Sequence, residues 1–186
     1  MPFRLEVKHG MVTTLAVGMI VLLVAADQLI KVWAVNSLAG IDAIPLIPGV
    51  LQFSYVENYG GAFGIFQGKA AILAAVTGFF LAVLLGAVIW FGRQKKYFLM
   101  WTLAMVVGGG IGNLIDRVMR GFVVDYIDFC LINYPVFNFA DCFVVIGTIS
   151  LMLFVFLSER KEERKKKAET SSGEQAGEQE NSSSES

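Results

Sequence analysis

Histidine is nearly missing from this chain: among 186 residues there is one, His9, and it stands ahead of the first long apolar run. That scarcity removes whole chemistries. Ser-His-Asp and Cys-His nucleophile arrangements need an imidazole beside the nucleophile, and a zinc motif of the H-E-x-x-H kind needs two. Cysteine is almost as thin. Cys130 and Cys142 are the two present, and they read as separate buried thiols rather than a disulfide framework. Charge is scarce as well, at 17% of residues against about 25% in an ordinary soluble domain. No basic surface interleaved with aromatics is available, so a nucleic-acid partner is not expected. A Ser-Lys dyad would have to draw Ser37 or Ser54 toward Lys31 or Lys69, and neither serine has supporting context.

What the chain does have is apolar length. It is 55% hydrophobic with a mean hydropathy of +0.62. Four stretches carry no Asp, Glu, Lys or Arg: Gly10–Ala26, Ala70–Gly92, Tyr97–Ile115 and Cys142–Ser158, with 17, 23, 19 and 17 residues. A bilayer core of about 30 Å takes about 17–25 residues of helix, so each stretch fits. One such run is explicable as a buried helix of a soluble protein; four are not. Transmembrane helices are expected over about 11–35, 70–92, 97–117 and 141–158. The small-residue sequence Val24-Ala25-Ala26 resembles a signal-peptidase cleavage site. The preceding run is long for a signal peptide, however, and cleavage would leave an odd number of spans, so an uncleaved first helix is expected.

Lysine and arginine placement orients the spans. Arg4 and Lys8 precede the first, Arg93, Lys95 and Lys96 separate the second and third, and "RKEERKKK" (160–167) follows the fourth. Both termini are therefore expected in the cytoplasm, with 36–69 and 118–140 facing outward. Residues 1–158 form the membrane domain. Residues 159–186 hold 8 of the 16 acidic residues and end in a low-complexity polar stretch, which reads as a charged, disordered cytoplasmic tail beside anionic lipid.

The outward segments are β-like. Pro45 and Pro48 argue against helix, "VLQFSYV" (50–56) and "GFVVDYIDF" (121–129) suit strands, and the glycines of "NYGGAFG" (58–64) suit a turn or a close backbone approach. The fold class expected is an α-helical membrane protein, four transmembrane helices carrying a small extracytoplasmic β-sheet. Gly108 and Gly112 form a small-xxx-small pair for close helix packing. Asp27 and Lys31 are an i,i+4 pair, either an interfacial ion pair worth a few tenths of a kcal/mol or functional groups at membrane depth. Asn113 and Arg117 share a helix face, with Asp116 turned about 100° from Arg117.

With imidazole and metal ligands excluded, carboxylates remain. Two aspartates sharing a site hold one proton between them. The ionised partner then activates water and the protonated one supports the scissile carbonyl. Asp141 stands just ahead of the fourth span, where a helix N-terminus favours negative charge, and Pro135 marks a bend between Asp125 and Asp141. In an extended strand Asp125 and Asp128 point to opposite faces, so one of them alone can join a shared site. The rival reading is a small membrane transporter or proton-relay subunit using clustered carboxylates. It predicts acids spread across membrane depth, whereas Asp27, Asp116, Asp125 and Asp141 all fall toward one face. A non-catalytic scaffold assembling through its glycine face leaves that polar cluster unexplained.

Five blocks in order, "DQLIK" (27–31), "NYGGAFG" (58–64), "GGGIGNLIDR" (108–117), "VVDYIDF" (123–129) and "FNFAD" (137–141), make the chain resemble the lipoprotein signal peptidase family (signal peptidase II) over about residues 12–158. These are bacterial membrane aspartic peptidases. The family motif Asn-x-Gly-Ala-Ala-Phe appears here as Asn58-Tyr59-Gly60-Gly61-Ala62-Phe63, a mild departure at Gly61. The resemblance implies Asp125 and Asp141 as the catalytic dyad and Asn58, Gly60, Asn113, Arg117 and Asn138 as substrate-binding and site-lining residues. Arg117 and Asn58 are expected to hold substrate carbonyls, and Asn113 and Asn138 to orient the dyad. Asp27, Lys31 and Asp116 are expected to secure helix ends. The implied substrate is a prolipoprotein carrying a diacylglyceryl cysteine, cut just before that cysteine at the outer face of the inner membrane. A monomer in contact with membrane lipid, without metal or cofactor, is expected.

Overall fold

A computed structural model describes residues 9–60, 70–132 and 134–184 of the chain. Among the described residues, four helices are long and apolar enough to cross a membrane: α1 (His9–Leu38), α2 (Ala70–Arg93), α3 (Tyr97–Met119) and α4 (Phe139–Ser184). The protein is thus a multi-pass membrane protein, and its side chains are distributed accordingly. Leu22 and Phe79 are 71% and 66% exposed, whereas Asp27, Lys31 and Asp116 are at most 1% exposed. Lipid is the solvent for the apolar faces, and the charges turn inward to find partners.

The chain divides into two units, 1–148 and 149–186. In the first, α1 and α2 both pack against α3. The expected glycine contact is present: a Cβ on Gly108 would lie 2.9 Å from Leu23 of α1, and one on Gly112 would run into the Asp27 carboxylate. The second unit is the remainder of α4. Helix continues there through 159–184, where composition suggested disorder. The first part of that stretch is rich in Glu, Lys and Arg, which favour helix once a preceding helix has nucleated it.

Three antiparallel strands in the order β1-β2-β3 make the sheet: β1 (Ile44–Ile47), β2 (Leu51–Asn58) and β3 (Val123–Asp128). β2 and β3 match the β-like runs of the sequence; β1 was not among them because it contains Pro45. The strand lies at the edge, where a missing N–H is tolerated. Pro48 and Gly49 (φ +73°) make the β1–β2 turn, closed by Val50 N–H donating to Ile47 O at 3.0 Å, the Pro-Gly arrangement a type II turn requires. The sheet is fixed to α1 by an apolar cluster of Ala34, Leu38, Val124 and Tyr126. Trp33 packs edge-on against Phe53 (5.4 Å between centroids) and Tyr126 (6.5 Å).

Candidate active site

Asp125 lies within β3, 2% exposed, and Asp141 occupies the first turn of α4 rather than preceding the helix as expected, because α4 begins at Phe139. Local structure brings them together. After β3 a 3-10 turn at Cys130–Ile132 is followed by an antiparallel bridge in which Phe137 exchanges hydrogen bonds with Ile127 (3.0 and 2.8 Å). The chain has doubled back along the free edge of β3, and Asn138 arrives beside Asp125.

Asn138 then does two things. It caps α4: its Oδ1 accepts from Asp141 N–H (3.0 Å), while Asp141 Oδ2 accepts from Asn138 N–H (3.1 Å), a reciprocal capping box. Its Nδ2 also donates to Asp125 Oδ1 at 2.6 Å. One buried amide therefore links both carboxylates. The other end-of-helix donors are met as well, Phe139 N–H by Tyr126 Oη (3.1 Å) and Ala140 N–H by Asp27 Oδ1 (3.2 Å).

The remaining carboxylate oxygens accept from two more asparagines. Asn113 Nδ2 donates to Asp141 Oδ1 at 2.7 Å, and Asn58 Nδ2 to Asp125 Oδ2 at 2.9 Å. The second contact follows from register. Val56 faces Asp125, and Asn58, two residues on, projects from the same face. Gly60 N–H donates to Asn58 Oδ1 (3.1 Å), which points the amide nitrogen at Asp125. Asn58 and Gly60 are thereby joined to Asp125 by hydrogen bonds. Residues 61–69, including the departure at Gly61 and the end of the "NYGGAFG" loop, lie outside the described residues.

Asp128 is turned away from the cleft: it sits opposite Gln52, whose Nε2 donates to it at 2.7 Å, and Ser54 Oγ donates at 3.3 Å. Arg117 lines the cleft with Asn58, Asn113, Asp125 and Asp141, within electrostatic reach of both aspartates. The cleft holds about 200 Å³. It shares Tyr134, Phe137, Asp141 and Val145 with an adjoining apolar pocket of about 460 Å³. Burial pushes the Asp125 carboxyl up to about 7, and the nearby Asp141 adds to the rise; the amides of Asn58 and Asn138 partly offset it. A carboxyl held near neutrality beside a second carboxyl can serve as an acid while its neighbour serves as a base.

Below this layer lies a buried ionic group. Lys31 Nζ is 2.9 Å from Asp27 Oδ2 and 3.0 Å from Asp116 Oδ2, so the interfacial pair suggested by the sequence is a fully enclosed triad. Asp116 also pairs with Arg120 and accepts from Val124 N–H at 3.1 Å. Gln28 joins Asp27, Asp116 and the Gly112 carbonyl (3.1–3.3 Å). Gln28, Arg120 and Tyr126 were missed in the sequence. Gln28 and Tyr126 stand inside the blocks "DQLIK" and "VVDYIDF", but each of the three works through a partner far along the chain or on a neighbouring turn, which the blocks do not show. Asp27, Asp116, Asp125 and Asp141 form one connected network, not a relay of acids spaced along a path.

Residues 19–157 match the family model described as signal peptidase (SPase) II. A lipoprotein signal peptidase of Clostridioides difficile is 43% identical over 142 residues, 76% of this chain and 95% of the relative. One from Streptococcus agalactiae is 36% identical over 141 residues, 75% and 90% of the two chains. Among solved structures, a bacterial membrane enzyme determined at 1.9 Å by the in meso method superposes with a TM-score of 0.65 at 30% identity, covering 76% of this chain and 92% of that one.

Proposed function

We propose, from the premise that this chain belongs to the signal peptidase II family, that it removes the signal peptide from prolipoproteins by aspartic-dyad hydrolysis. The substrate is a prolipoprotein whose cysteine already carries diacylglycerol, cut just before that cysteine. The observation that carries this reading is Asn138, a single buried amide that hydrogen-bonds Asp125 and caps the helix bearing Asp141.

Asp125, the more buried carboxyl, serves as the acid of the pair and Asp141 as the base. Asp141 takes a proton from water as its oxygen attacks the scissile carbonyl, while Asp125 gives its proton to the carbonyl oxygen. On collapse of the tetrahedral intermediate Asp141 passes its proton to the leaving amine, and a hydroxyl proton of the intermediate returns to Asp125. The C–N bond breaks and both groups regain their starting states. Arg117 holds a backbone carbonyl of the substrate; its hydrogen bond to Asn113 O is long, at 3.4 Å, and the residue lines the cleft. The adjoining apolar pocket suits an apolar substrate side chain or an acyl chain. Asp27, Lys31 and Asp116 secure the helices beneath.

The enzyme acts as a monomer in a bacterial inner membrane, with both termini cytoplasmic and the cleft facing outward. Residues 1–158 carry the activity, and 159–186 form a cytoplasmic extension. Cleavage of a diacylglyceryl-modified prolipoprotein by purified protein in detergent, with chelator present, tests the reading. Asp125→Asn and Asp141→Asn are expected to lose at least about 10³-fold in rate, with Asp128→Asn near wild type. Activity retained in either of the first two, or wild-type cleavage abolished by the chelator, overturns it.

A further inference from the structure

Lys31 is a buried charge that the reaction above does not use. Its ammonium donates to Asn113 Oδ1 at 2.8 Å and contacts Asp27 and Asp116. An ammonium has three donors and no acceptor, so these three contacts account for all of it. The consequence falls on Asn113. A side-chain amide can turn over and exchange oxygen for nitrogen, but here the oxygen must face Lys31, and Asn138 Nδ2 donates to that same oxygen at 3.1 Å. The nitrogen is thereby directed at Asp141 Oδ1, 2.7 Å away.

We propose that Lys31 is a positioning residue for the dyad: by holding Asn113 Oδ1 it keeps the Asn113 N–H donor fixed on Asp141 Oδ1. Hydrogen bonds in series from a positive charge strengthen one another. The amide on the other side, Asn58, accepts the neutral N–H of Gly60. The proposal rests on the dyad reading given above. Among the described residues, the charged groups facing these hydrogen bonds are Asp27 on α1, Asp116, Arg117 and Arg120 on α3, Asp125 on β3 and Asp141 on α4; β2 contributes the neutral Asn58.

Lys31→Met alone would strand two buried carboxylates, so the test pairs it with Asp27→Asn. The new amide at position 27 keeps an oxygen for Ala140 N–H and gains a donor for Asp116, and one charge of each sign is removed. kcat on the lipid-modified substrate is expected to fall about tenfold or more, with KM changed less than about threefold. The acidic limb of the kcat–pH profile should move toward neutral pH, because loss of a fixed donor favours the neutral carboxyl. A purely structural Lys31 would lower the unfolding temperature and leave that limb in place. A folded double variant with wild-type kcat and limbs overturns the proposal. If the double variant does not fold, Asn113→Leu decides: it is close in volume, adds no charge, and offers Asp141 no amide donor. Loss of rate with a raised acidic limb supports the relay; an unmoved limb overturns it. Asp125→Asn and Asp141→Asn run alongside. If they are inactive the dyad stands whatever Lys31 does, and if they cleave, both readings fall together.

Discussion

Asp125 is a carboxyl group in surroundings that disfavour its charge, and stability should register that. Its folded value, about 7, lies above the ordinary 3.8. Between those values the folded state keeps a proton that the unfolded chain releases, so this group's contribution is fullest below pH 4 and is lost as pH rises through about 7. Asp125→Asn cannot ionise and escapes that loss. Thermal unfolding in detergent should therefore show the variant more stable than wild type at pH 8, by a few kcal/mol, with the gap closing toward pH 4. A gap independent of pH would show that burial does not penalise this carboxylate. The same variant is expected to be inactive, a trade of stability for function at a single residue.

At the scale of elements, the N-terminus of α4 and the α1–α3 crossing decide whether the dyad is assembled. Phe139 N–H is accepted by the Tyr126 hydroxyl, and this bond ties α4 to β3. Tyr126→Phe removes the acceptor from a part-buried donor and should cost about 1–2 kcal/mol in thermal unfolding. Its rate loss should stay well below that of the Asp141 variant. Gly112 admits the Asp27 carboxylate between α1 and α3. Gly112→Ala should destabilise by about 1–3 kcal/mol through overpacking, whereas Gly86→Ala, with nothing within 4 Å of its added Cβ, should be neutral or stabilising by up to about 1 kcal/mol. Equal unfolding temperatures for the two glycine variants would remove the packing argument.

For the whole molecule the prediction is topological. In a background with Cys130 and Cys142 replaced by serine, Ala39→Cys should react with a membrane-impermeant maleimide in intact spheroplasts. Ser172→Cys should react after permeabilisation only. The reverse pattern would place the cleft in the cytoplasm and remove access to a translocated substrate. The expectation rests on the basic residues Arg93, Lys95 and Lys96 between α2 and α3 and on the basic run after α4.

Some of this was settled along the chain itself. A charge-free run of 17–23 residues is a one-dimensional property, so the four helices could be read from the sequence, and a single histidine was enough to leave carboxylates as the chemistry. The ordered motifs identified Asp125 and Asp141 as the pair to examine, and strand alternation set Asp128 aside. Other features depended on packing. That Lys31 is enclosed, that Asn58 serves Asp125, and that Asp27 helps cap α4 are contacts between residues 82, 67 and 113 positions apart. Such contacts depend on how each helix is rotated about its axis and where each strand settles in register. Hydropathy, which reports only the average solvent of a segment, carries no information about either; the close fit of Gly112 against Asp27 and the return of Phe137 onto Ile127 supply it.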